Sequence, residues 1–107
     1  MSIAALSLLL LAASSAQAKD PAAGQRVYLA NCMACHGMNA DGKGPAAISL
    51  QPPPSDFTSE TFWATRDAAS IRTSIRAGRP GTPMMPFTQL SDADLDNLIA
   101  FLESKRP

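Results

Sequence analysis

The sequence predicts an all-α domain: three main helices and long loops, wrapped around a large body that is not protein. Three observations carry this. Apolar residues recur at helical spacing in three capped stretches, and no stretch alternates as a half-buried strand does. The segment 37–60 is rich in Gly, Pro, Asp and Ser. An irregular segment of that length is uncommon in a compact domain unless it is functional or rests on something other than protein.

The 107 residues are 46% hydrophobic and carry no formal net charge, which fits one domain. Residues 1–18 read as a secretory signal. An apolar run from Ile3 to Ala13 is too short to span a bilayer as a helix, and Ala16-Gln17-Ala18 is an A-x-A cleavage pattern. The usual Lys or Arg ahead of the run is absent, so the genuine start codon can lie upstream. The alternative is a retained membrane anchor. The expected domain is residues 19–107, periplasmic and not stably inserted in a membrane after cleavage. No strongly basic face is present, which argues against nucleic acid as a partner.

Each helix has its own signals. Asp20-Pro21 starts the first, with an acid at the N-cap and proline at the first helical position. It should run to about Asn31, with Ala23, Val27 and Ala30 as its apolar stripe. Gln51-Pro52-Pro53-Pro54-Ser55 excludes an interior helix or central strand. Asp67 opens the second helix, Ile71 and Ile75 share a face, and Gly78 stops it. Pro80, Pro83 and Pro86 stiffen the loop from Arg79 to Phe87. Ser91 caps the last helix, and Leu95, Leu98, Ile99 and Leu102 form its buried stripe. Arg66, Arg72, Arg76 and Arg79 have only Asp67 nearby in sequence, and Asp92, Asp94 and Asp96 lack a neighbouring cation. These arginines read first as a solvated helix face, and second as a ring around the crevice of the bound group that steers an acidic partner.

Cys32-Met33-Ala34-Cys35-His36 carries the chemistry. C-x-x-C-H is the attachment pattern of a c-type haem. Two cysteines three apart lie on one helical turn, so both sulfurs can add to the two vinyl groups on one porphyrin edge. His36 then offers its imidazole as the proximal iron ligand. A thioredoxin-like pair would need a βαβ context that the pattern lacks. A zinc site needs four ligands, and two Cys with one His fall short. A disulfide would leave the single histidine unexplained. The expected cofactor is one haem c, covalent through Cys32 and Cys35.

A sixth ligand should come from methionine. Met33 lies inside the attachment loop and Met38 follows His36 too closely. Met84 and Met85 alone can come round to the far face. His/Met ligation raises the reduction potential and closes the iron to substrates. The plainer alternative is that both methionines fill core space.

In chain order, the first helix, "CMACHG", "DGKGP", "GTPMMPF" and "LSDADLDNLIAFL" resemble the class I cytochrome c family. The resemblance implies a cytochrome c fold with the haem in a crevice and one edge exposed. It implies that Gly24 lets the first and last helices cross closely, with Tyr28 and Phe101 packed there. It implies that the carbonyl of Pro45 accepts a hydrogen bond from the His36 ring. It favours Met84 over Met85 as the ligand, because "GTPM" and Phe87 both align with Met84. Trp63 is expected either to donate its indole N–H to a haem propionate or to cap the core. "DFTSETFW" resembles segments of cytochromes that serve larger oxidoreductases.

The function expected is one-electron transfer between redox proteins, by transient contact and as a monomer. An anaerobic or denitrifying respiratory setting rests on analogy alone. No catalytic base or nucleophile is visible, so the chain is expected not to be an enzyme. Two alternatives stand beside this. One is a haem enzyme or gas sensor in which the methionine is displaced. The other is an accessory protein for cofactor assembly in a larger oxidoreductase.

Overall fold

A computed structural model describes residues 19–107. The expected signal segment, 1–18, lies outside the described residues. Five α-helices follow in order: α1 (Pro21–Asn31), α2 (Met33–His36), α3 (Glu60–Thr65), α4 (Ala68–Ala77) and α5 (Asp92–Glu103). A single 3-10 turn spans Ala47–Ser49. No strand occurs among the described residues.

The caps act as the sequence implies. The Asp20 carboxylate accepts from the amides of Ala22 and Ala23 at 2.9 and 3.3 Å. Asp67 accepts from the Ser70 amide at 2.8 Å, and the Ser70 hydroxyl lies 3.0 Å from the Asp67 amide, a reciprocal box. Ser91 accepts from the Asp94 amide at 3.0 Å. Each cap satisfies helix-start donors that have no partner within the helix.

α1 crosses α5, and this pair is the frame. A Cβ on Gly24 would lie 1.8 Å from the carbonyl oxygen of Asn97, so the backbones meet where a side chain cannot fit. Beside the crossing, the Tyr28 and Phe101 rings pack with centroids 5.0 Å apart. Tyr28, Leu95 and Leu98 are completely buried and Ile99 nearly so. Each of the three aliphatic side chains contributes about 2 kcal/mol by leaving water. The buried face of α1 is Gly24 with Tyr28, flanked by half-buried Val27, while Ala30 is exposed. Of the expected stripe, Ala23 and Val27 are half-buried and only Ala30 faces out, while the closest approach is made by Gly24, the residue with no side chain.

α4 lies against α5 through Ile71 and Ile75. Arg72 pairs with Asp96, and Arg76 with Asp92 at 2.8 Å. The three acids of α5 are thus not all without cations. Their partners lie 24 and 16 residues away and are brought alongside by the packing of the helices.

Two short helices were not read from the sequence as such. α3 has only six residues, and its buried member is Trp63. The long wrap after His36 is tied down by backbone bonds. Gly42 donates to His36 at 2.7 Å, Phe57 to Ala40 at 2.8 Å, and the Tyr28 hydroxyl to the Gly37 carbonyl.

Candidate functional site

α2 is one helical turn continuous with α1. The Cys32 amide donates to the Tyr28 carbonyl at 2.8 Å, and the His36 amide to the Cys32 carbonyl at 2.9 Å. The turn carries Cys32, Cys35 and His36 at one edge of a cavity. Both cysteines are half-buried, and no disulfide joins them. Burial, then the neighbouring Cys35, pushes the Cys32 thiol up to about 12. Thiol–disulfide exchange needs thiolate, so this environment does not suit a redox pair.

His36 is half-buried, and desolvation holds its pKa below the usual 6.5; its bond to a backbone carbonyl opposes that only in part. The imidazole is therefore neutral near pH 7, as an iron ligand must be. Nδ1 lies 3.1 Å from the carbonyl oxygen of Ser55. A carbonyl can only accept, so Nδ1 carries the proton and Nε2 keeps its lone pair for a metal. The Phe57 ring lies alongside, 4.9 Å between centroids.

This corrects Pro45. The acceptor for the ring is Ser55, delivered by the triple proline, and Pro45 is exposed. The Gly44–Ala46 segment instead braces the backbone of α2. Gly44 donates to Cys35 at 3.1 Å and Ala46 to Ala34 at 2.9 Å. With its amides committed there, the segment serves the motif's backbone and not its imidazole.

Trp63 is also placed. Its indole N–H donates to the Phe57 carbonyl at 2.8 Å, it packs edge-on to Phe62, and it lines neither cavity at the site. With its one donor used inside the core, it takes the second of its two expected roles and caps the core.

The opposite wall is the loop after α4. Gly78 has φ of +70°, and a Cβ there would lie 2.9 Å from the Met84 carbonyl oxygen. The loop folds back at this point. Arg79 donates its amide to Met84 at 3.2 Å, and Thr82 its amide to Arg79 at 3.0 Å. The Met84 amide donates to the Thr82 hydroxyl at 3.2 Å, and the Phe87 amide to the Ile75 carbonyl at 2.8 Å. Met84 is half-buried and packs on the core, whereas Met85 is 65% exposed.

Between the walls lies a cavity of about 480 Å³, bounded by Cys32, Cys35 and His36 on one side, Met84 on the other, and Leu50 and Pro52 at its margin. That is within the range of small-molecule and cofactor sites. A smaller void of about 40 Å³ shares Cys32, His36 and Met84 and reaches Tyr28, Ile71 and Ile75. No cluster of three or more His, Cys, Asp or Glu residues exists among the described residues. A zinc site is thus not assembled here. Covalent sulfurs on one edge, a neutral imidazole and a thioether across an apolar cavity together fit a haem.

The cytochrome c family model matches residues 21–105. The chain belongs to the cytochrome c family. It is a small c-type cytochrome that carries electrons, with haem c bound covalently through Cys32 and Cys35. It is 35% identical over 92 residues to cytochrome c-554(547) of Halothiobacillus neapolitanus, covering 79% of this chain and 96% of that one. It is 36% identical over 109 positions to dihydro-heme d1 dehydrogenase of Pseudomonas aeruginosa, covering all of this chain but a fifth of that protein. Among solved structures it resembles the KustC0563 c-type cytochrome, with a TM-score of 0.64 and 23% identity over 78% of this chain and 98% of that one, a likeness of fold.

For Arg66 and Arg79 the second expectation, a place around the crevice, fits better than a solvated helix face. Both border the smaller void, and Arg79 also borders the larger one. Arg66 is held by the hydroxyls of Ser74 and Ser70 at 2.6 and 3.3 Å. Its pKa is lowered by burial and then by Arg79, with Asp67 opposing, so two like charges lie near one another. The available signal was the surplus of arginine between residues 66 and 79.

Proposed function

We propose that this cytochrome is an exported, monomeric one-electron carrier whose haem iron is held by His36 and Met84. The observation that carries the ligand assignment is the contrast between the two methionines. Met84 packs on the core and borders both cavities with His36, while Met85 borders only the larger one and is 65% exposed. Bound haem supplies a reversible one-electron change at iron. The chain's own part is to exclude water with Tyr28, Phe57 and Ile75, and to keep Nδ1 of His36 protonated on Ser55. Arg66 and Arg79 would hold the haem carboxylates, which suits a pair of guanidiniums without a dedicated acid partner.

Two fixed ligands leave no vacant position for a substrate, which favours transfer over catalysis. Partners would meet the exposed haem edge in small, short-lived complexes. Export rests on the signal-like segment 1–18, and no helix among the described residues is long and apolar enough to cross a membrane. A mature amino terminus at Lys19 is the expected result of protein sequencing.

The ligand test is spectroscopic. Met84→Ala should abolish the sulfur-to-iron charge-transfer band and lower the reduction potential, and Met85→Ala should keep both near wild type. Loss in Met85→Ala alone would reverse the assignment.

A second reading is favoured by the match of the whole chain to part of dihydro-heme d1 dehydrogenase. In that reading the cytochrome takes electrons released as a tetrapyrrole is dehydrogenated during cofactor assembly. Mixing the oxidised cytochrome with such a dehydrogenase and its substrate should reduce the haem. Absence of reduction would remove this reading and leave general electron transfer.

A further inference from the structure

We propose that Arg76 is a positioning residue for Met84: its guanidinium fastens the downstream end of the methionine loop and so keeps the thioether at the iron. This rests on the reading of Met84 as the ligand.

The loop is closed on itself at its upstream end and tied to the last turn of α4 at its downstream end. Upstream the tie is backbone only: the Arg79 amide donates to the Met84 carbonyl at 3.2 Å, on a turn that Gly78 permits. Any residue at 79 other than proline supplies that bond. Downstream a side chain reinforces a backbone bond. Arg76 Nη1 donates to the carbonyls of Leu90 and, at 3.3 Å, of Phe87, while Nη2 donates to Asp92 at 2.8 Å. The Phe87 amide is bound in turn to Ile75 at 2.8 Å. Both backbone polar groups of Phe87, three residues past the thioether, are therefore held by consecutive residues of α4.

A thioether is a neutral ligand and gains no charge attraction from iron. Its residence on the metal depends on the loop holding it there, as outer partners hold other metal ligands. A planar fork with several fixed donors can bridge two carbonyls and a carboxylate together, which a single ammonium cannot do. Arg72 supplies the internal comparison. It pairs with Asp96 across the same two helices and has no bond to residues 79–87.

The test uses haem-loaded protein with wild-type sequence, Arg76→Leu, Arg76→Lys, Arg72→Leu and Met84→Ala. The readings are the sulfur-to-iron band, the reduction potential and carbon monoxide binding to the reduced form. Hydrogen bonds from a charged donor are strong, so Arg76→Leu should shift the closed-to-open equilibrium of the sulfur by about tenfold or more. The band weakens, the potential falls and carbon monoxide binds faster. Arg76→Lys should restore part of each change. Arg72→Leu should lower the unfolding temperature but leave the band intact. An unchanged band in folded Arg76→Leu, or in Arg76→Lys where the leucine variant does not accumulate, overturns the proposal. If Met84→Ala itself keeps the band, the ligand assignment fails. If that variant loses the band and the Arg76 variants keep it, only the role of Arg76 fails.

Discussion

The two faces of the haem site are built differently. On the His36 face everything is local. Cysteines and histidine lie within five consecutive residues, on one turn that continues α1, and the bracing segment follows within ten. On the Met84 face the proposed ligand comes from 48 residues beyond His36 in sequence. It depends on how α4 ends, how Gly78 turns, and how the loop is fastened to α4 and α5. The first face is a motif and the second is an assembly. Damage to the first should disturb folding and haem attachment together. Damage to the second should spare attachment and move the spectrum and the potential.

The strongest way to break this contrast is at Gly44. A Cβ there would lie 2.4 Å from the Ala34 carbonyl oxygen and 2.7 Å from the Cys35 carbonyl carbon, backbone on both sides. Gly44→Ala should cost about 3 kcal/mol by overpacking. It should also cut the yield of haem-loaded protein, while any protein that is loaded keeps its sulfur-to-iron band. A full yield with a lost band would mean that the first face is not the rigid one.

Gly78→Ala should have a smaller effect on stability and a larger one on the spectrum. The left-handed backbone costs about 1–2 kcal/mol for a residue with a Cβ, and the contact at 2.9 Å is with the loop carrying Met84. Thermal unfolding and the band, measured together, separate the two faces. Normal haem attachment with a weakened band is the expected outcome.

The smallest effect lies at the start of α4. Bonds from the Ser70 amide and hydroxyl hold the Asp67 carboxyl below its usual 3.8. A depressed folded pKa means stability present above the unfolded value and lost as pH falls through the folded one. Asp67→Ala should therefore lower the unfolding temperature slightly at neutral pH, and the gap to wild type should close below about pH 4. A gap that widens in acid would contradict the cap.

The helices that frame the fold were legible because their signals are local. Asp20-Pro21, Asp67 with Gly78, and Ser91 all work within one turn of the residue that bears them. α3 was not read, because six residues held by an aromatic cluster carry no periodicity of their own. Pro45 was misassigned, and Trp63 was left between two roles, for a related reason. Which carbonyl meets His36, and which acceptor meets the Trp63 indole, depends on how the wrap from Gly37 to Phe57 folds over α2. Its prolines limit that path without specifying its end point.

The sequence by itself determined the chemistry: C-x-x-C-H places two sulfurs and an imidazole on one turn, and the covalent geometry of a helix allows little else. It also narrowed the candidates for a methionine ligand to Met84 and Met85. Only the tertiary structure decided which of them lies inside. Adjacent side chains leave an extended backbone on opposite sides, so the choice belongs to the loop's attachment and not to the residues. Packing of α4 on α5 and the turn at Gly78 set the path of a loop in which Met84 is half-buried on the core and Met85 is exposed.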